Sequence, residues 1–179
     1  MDKSQAYICV HKLNLIHQGL NKCFVDDWEN IVSLGGLTFP QTKLLIILKG
    51  NGKCNMSKLS EQGFWHMSTV TELVSRMGKE GYVSKYIDQV DKRVVIVKIT
   101  DKGREALDNT ELLYFNNSKI FNALLKMDKE DMDKACGVLC RVCKNVKGIE
   151  GQCKMEETLE NFENFSYDEM IKRFGYFKD

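Results

Sequence analysis

The sequence predicts a mainly helical chain carrying one small β-hairpin, and three observations lead there. The 179 residues contain a single proline, Pro40, and a chain with few helix breakers and short polar gaps tends to be mostly helical. Apolar residues recur at helical spacing along most of the length. Only residues 82–99 carry a clear alternation of period two. The chain is 43% hydrophobic with nine Phe and six Tyr, enough for one sizeable core and too apolar for wholesale disorder. No run of 18 apolar residues occurs, and the start from Met1 to Asn14 lacks a positive region followed by an apolar one, so neither membrane insertion nor export is expected. The seven cysteines are then expected to be reduced thiols in the cytoplasm rather than a disulfide framework.

In chain order, Met1 to Leu34 carries a helical stripe of Ile8, Leu13, Ile16, Leu20, Phe24 and Ile31. A second helix begins at Thr38-Phe39-Pro40-Gln41, where a Thr that can cap and a Pro in the first turn precede Leu44-Leu45-Ile46-Ile47-Leu48, and Gly50-Asn51-Gly52 ends it. A short third helix spans about Met56 to Gln62 and is closed by Gly63. The fourth runs from about His66 to Lys79, with Val70, Val74 and Met77 on one face and Gly81 beyond its end. Two β-rich runs, Tyr82 to Ile87 and Val94 to Ile99, flank the charged gap Asp88 to Arg93 and read as a hairpin. Residues 100–146 read as two long helices broken near Met127-Asp128, and neither they nor the stripe over Met1 to Leu34 are expected to have a core to join except another subunit's.

Three short helices with a glycine turn before the last, followed at once by a hairpin, give the order of a winged helix-turn-helix. The helix before the hairpin would be the reader. Its non-core face carries Ser68, Thr69, Thr71, Glu72, Ser75, Arg76 and Lys79, donors and acceptors suited to phosphates and base edges in a major groove. A solvated helix face would also be polar, and the charge distribution favours the nucleic-acid reading. Between Pro40 and Thr100 ten Lys or Arg face five acids, a net of +5, whereas the whole chain is +1. His66, at the start of the reading helix, is placed either for a phosphate contact or for capping and packing.

The run Asp91-Lys92-Arg93-Val94-Val95-Ile96-Val97-Lys98-Ile99-Thr100-Asp101-Lys102-Gly103 resembles the wing signature of the MarR-type winged-helix transcriptional regulators, an Asp-x-Arg tip leading through a strand into a Thr-x-x-Gly helix start. Thr69 to Val83 is similar to that family's recognition helix entering its first wing strand. Gly63-Phe64-Trp65-His66-Met67-Ser68-Thr69 and the long acidic tail look more like the subgroup containing the Bacillus-type protease-production repressor. The resemblance implies a winged helix-turn-helix over 40–103, flanked by dimerisation helices over 1–39 and 104–153. It implies a repressor that binds pseudo-palindromic double-stranded DNA as a homodimer, with a small-molecule effector as a further candidate partner. Lys92 and above all Arg93 would reach the minor groove, where the negative potential is strongest. Asp91 is expected to shape the wing. Thr100 is expected to cap the next helix, with Gly103 allowing close packing.

Residues 154–179 have four basic and seven acidic residues with aromatics spaced between them, and are expected to pack as helix on the dimer. Cys136, Cys140 and Cys143 fall at i, i+4 and i+7 on one helix face, with Cys153 after a glycine-flanked turn. They could hold a metal or cluster or sense oxidants, which would make the chain a thiol- or metal-responsive regulator. Small apolar packing residues at a helix interface is the preferred reading, so no cofactor or metal is expected. A winged helix turned protein-interaction module would have lost its basic wing, and Lys92 and Arg93 are present. An enzyme is not expected, because no phosphate loop, zinc-protease motif or nucleophile elbow occurs and His11, His17 and His66 are scattered.

Overall fold

The computed structural model describes residues 1–143, 145 and 146; Cys153 and the acidic tail over 154–179 lie outside them. The elements run α1 (Lys3–Ser33), α2 (Phe39–Asn51), β1 (Cys54–Asn55), α3 (Met56–Gly63), α4 (Met67–Lys79), β2 (Val83–Ile87), β3 (Val95–Ile99), α5 (Asp101–Asn117) and α6 (Lys119–Leu124). Residues 129–143 are helical. The fold is mainly α with a small antiparallel sheet.

Local sequence sets several boundaries. Thr38 and Gln41 form a capping box at the start of α2, with Pro40 in its first turn, and Gly52 closes that helix at φ 70°. Asn55 caps α3 by accepting from the Lys58 amide. Thr100 caps α5 by accepting from the Gly103 amide at 3.0 Å. A Cβ on Gly103 would stand 2.1 Å from the Tyr82 carbonyl oxygen, so α5 approaches the hairpin as closely as backbone permits.

The core sits where α2, α3 and α4 meet one sheet face. Leu44, Leu45, Leu48, Leu59, Val70, Leu73, Val74, Met77, Val83, Val97, Ile99 and Leu107 are buried together. In the sheet, β3 is central, pairing Val83 with Ile99 and Ile87 with Val95 on one side and Cys54 with Val97 on the other. The strand β1 was not expected: two residues carry no periodicity, and β1 exists because β3 offers it an edge.

Three expectations are corrected. The turn between α3 and α4 is not opened by glycine, since Gly63 is the last residue of α3 and Phe64 takes the left-handed conformation at φ 55°. Gly63 serves close packing instead, as a Cβ there would lie 2.0 Å from the Trp65 ring. The helical stretch after Thr100 breaks first at Ser118, ahead of the break near Met127-Asp128. The buried carboxylate of Asp27 accepts the Ser118 hydroxyl at 2.5 Å and the Lys119 amide at 2.7 Å, while the Ser118 hydroxyl oxygen accepts from the Phe121 amide. The flanking helices, thirdly, are not without intrachain partners. Ile31 is fully buried and Leu107 joins the winged core. Thr110 accepts from the Leu37 amide at 3.0 Å, and Trp28 lies 5.2 Å from both the Phe39 and Tyr114 rings while its indole NH donates to the Leu37 carbonyl.

Removing the Asp27 carboxylate would leave the Lys119 amide and the Ser118 hydroxyl without their acceptor inside the protein. Asp27→Ala is therefore expected to destabilise the fold by about 1–3 kcal/mol in urea unfolding, against a change near zero for the exposed Asp26→Ala.

Candidate nucleic-acid interface

Helix α4 divides cleanly. Val70, Leu73, Val74 and Met77 are buried, while Ser68, Thr69, Thr71, Glu72, Arg76 and Lys79 are exposed and Ser75 is half-buried. The polar set is thus one contiguous outer face. Within it the Thr71 hydroxyl donates to the Met67 carbonyl at 2.8 Å, which leaves its oxygen as an acceptor only. Arg76 and Lys79 stand in the last turn, where their charge complements the helix dipole. His66 occupies the N-cap position, exposed and without a side-chain capping bond.

The wing is held by two aspartates. Asp88 Oδ1 accepts the amides of Val90 at 2.8 Å and Asp91 at 3.1 Å, and its own amide donates to the Val94 carbonyl. Asp91 Oδ1 accepts the Arg93 amide at 2.9 Å, so it binds hairpin backbone. Lys92 and Arg93 are carried on this frame, both exposed. Sequence reasoning singled out Asp91 and missed Asp88, although an Asp two residues before an amide-rich turn is the pattern of an Asx turn. The Asp91 and then the Val90 amides, helped by the charge of Lys53, hold the Asp88 carboxyl below the usual aspartate range.

Not all of the segment's positive charge faces outward. Lys43 Nζ donates to the Gly63 carbonyl at 2.9 Å, and Lys49 Nζ lies 3.7 Å from both Asp108 and Glu111 on α5. Beyond α4, Lys102 Nζ donates to the Glu80 carbonyl at 2.7 Å and stands 5.2 Å over the Tyr82 ring. Composition counted Lys43 and Lys49 toward the +5, but their positions bind them to the protein itself. The exposed cations of the segment include Arg76 and Lys79 on α4 and Lys92 and Arg93 on the wing. On the helix over 129–143, Cys136 is exposed and Cys140 and Cys143 are half-buried. Among the described residues no three His, Cys, Asp or Glu side chains are grouped to hold a metal, and no helix is long and apolar enough to cross a membrane.

Because Asp88's carboxyl is more acidic in the folded wing than in an unfolded chain, its contribution is complete above the ordinary aspartate value and is lost as pH falls through the lowered one. The amide NMR signals of Val90 and Asp91 are expected to hold their neutral-pH positions down to that acid range and then move together. Asp88→Ala is expected to move both already at neutral pH.

A family model described as transcriptional regulator SarA/Rot matches residues 29–110, the span from the end of α1 into α5. The regulator Hpr of Bacillus mycoides (strain KBAB4) is 25% identical over 170 residues, covering 90% of this chain and 89% of that protein. An uncharacterised HTH-type regulator, YfiV of Bacillus subtilis (strain 168), is 23% identical over 124 residues, 69% of this chain and 75% of its own. Among solved structures, a mutant MarR from E. coli complexed with operator DNA superposes with a TM-score of 0.64 at 20% identity, covering 79% of this chain and 99% of that one. The MarR-family regulator Sco3205 from Streptomyces coelicolor, in complex with DNA, gives 0.66 at 19% identity, covering 76% and 89%. Hpr, YfiV and Sco3205 are all described as transcriptional regulators. With α4, the aspartate-braced wing and the flanking helices all in the order of these proteins, the chain has a winged-helix fold and is similar to transcriptional regulators of the MarR/SarA type.

Proposed function

We propose that this chain is a cytoplasmic repressor that binds pseudo-palindromic double-stranded DNA as a homodimer. The observation that carries the reading is the coupling of two surfaces on one rigid module: the outer face of α4, sized for a major groove, and the wing that projects Lys92 and Arg93 beside it. Ser68, Thr69, Thr71, Glu72, Ser75, Arg76 and Lys79 face base edges and phosphates. Arg93, with Lys92, enters the narrower groove, Asp91 holds the backbone that carries them, and His66 reaches a phosphate at the entry to α4. Structural neighbours include regulators solved with DNA, which supports this docking.

The dimer reading rests on α1. Over most of its length Tyr7, Ile8, Leu13, Ile16, Leu20 and Phe24 are exposed, whereas Ile31 near its end is fully buried. A long amphipathic helix in water is marginal without a partner for its apolar stripe, and a second copy supplies the same stripe by two-fold symmetry. Two reading helices then fall about one helical turn apart on the duplex. Occupying that length of duplex blocks other proteins without further machinery, which is repression by exclusion. A small-molecule effector would act by changing the spacing of the two readers.

Selection from random duplexes is expected to yield an inverted repeat, and light scattering is expected to give a dimer at micromolar concentration. Arg93→Ala should weaken binding to the selected site by about 1–3 kcal/mol, and Arg76→Ala should weaken it or shift base preference. The binding constant should also fall steeply between about 50 and 200 mM salt. A stable monomer would remove the dimer. A flat salt dependence with both variants binding like the parent would instead indicate a protein-interaction module.

A further inference from the structure

The sharp turn into the reading helix is built around a cation from another helix. Lys43 is half-buried on α2, and its ammonium donates to the carbonyl of Gly63, the last residue of α3. That carbonyl is one of the four that a helix C-terminus leaves without an intrahelical partner. The same ammonium stands 5.3 Å from the centroids of both the Phe64 and Trp65 rings, within the range of cation–π attraction. Around it the turn is closely specified. Phe64 holds a left-handed backbone, which is costly for a bulky residue. The Trp65 ring covers Gly63 where a side chain would stand. Trp65 also exchanges two bonds with Ser60, its amide donating to the Ser60 carbonyl at 3.0 Å and its carbonyl accepting the Ser60 hydroxyl at 2.7 Å. Burial pushes the Lys43 pKa below the ordinary lysine value, as expected for an ammonium that has exchanged water for this turn. Helix α4 starts two residues later, at Met67.

We propose that Lys43 is a positioning residue for the reading helix: by holding Gly63, Phe64 and Trp65 it fixes the angle at which α4 leaves α3, and it makes no phosphate contact. The proposal rests on the DNA-binding reading above and adds to it a residue inside the module on which base recognition depends. Base contacts require the helix to sit at one angle, whereas phosphate contacts tolerate displacement. Loosening the turn therefore penalises the selected sequence more than random duplex. A lost phosphate contact penalises both equally and lowers the salt dependence.

The test uses the full chain, ¹⁵N-labelled, in which the indole signals of its two tryptophans, Trp28 and Trp65, are read separately. Lys43→Met is expected to move the Trp65 indole signal and leave that of Trp28 in place. It should weaken affinity for the selected duplex about tenfold and for random duplex by less than about twofold, with the slope of log Kd against log salt unchanged. Lys43→Arg, which keeps both the donor and the cation over the rings, is expected to restore signal and affinity. An unmoved Trp65 signal with unchanged affinity overturns the proposal. So does equal weakening on both duplexes with the slope lowered by about one, which would make Lys43 a phosphate contact. If Lys43→Met does not fold, Lys43→Arg decides, and a displaced Trp65 signal or lost affinity in it overturns the proposal. If the parent protein binds no duplex, the DNA-binding reading fails on that result alone, and the Trp65 signal of the variants still decides whether Lys43 holds the turn.

Discussion

Everything the interface can do depends on the burial of one face of α4. Val70, Leu73, Val74 and Met77 are withdrawn from water against α2, α3 and the sheet, and hydrophobic burial of four such side chains is the largest favourable term available to so short a helix. Helical periodicity leaves no freedom after that. With those four inward, Ser68, Thr69, Glu72, Arg76 and Lys79 must point outward. A polar substitution at Val74 would let the helix rotate and so displace this whole outer face, although Val74 is not part of it.

Charge is divided between two kinds of work. Acidic side chains at the wing act on backbone: Asp88 and Asp91 take up amides of a tight hairpin tip and thereby set the path along which Lys92 and Arg93 project. Three lysines are likewise occupied within the protein, Lys43 and Lys102 on carbonyls that flank α4 and Lys49 between two carboxylates of α5. Net charge is for this reason a blunt guide to a nucleic-acid surface. Position decides whether a cation meets phosphate or fastens one helix to the next.

The elements legible in the sequence are those whose determinants are local. The capping box of Thr38 and Gln41, Pro40 in the first turn, the Thr100 cap and the alternation in the hairpin all act within a few residues, and each element lies where those signals place it. The polar face of α4 could be read for the same reason. What could not be read is tertiary. The break at Ser118 is made by Asp27, 91 residues earlier, the left-handed Phe64 is sustained by Lys43 on another helix, and β1 exists through β3. The partition of α1 into an exposed stripe and a buried end at Ile31 follows from where α5 and α6 return, which no periodicity in α1 reveals.

The strand order has a temporal side. In the sheet β1-β3-β2 the central strand is the last to be made, so β1 and β2 have no partner in each other and remain single until Ile99 has left the ribosome. The core waits a little longer, for Leu107, and the Leu37 amide for Thr110. During vectorial synthesis the long apolar stripe of α1 therefore emerges first and stays in water while some eighty residues follow it, an interval of several seconds at about 5–20 residues per second. Neighbouring ribosomes on one message expose the same stripe at the same time, and α1 of one nascent chain can meet α1 of the next before either has a finished reading head.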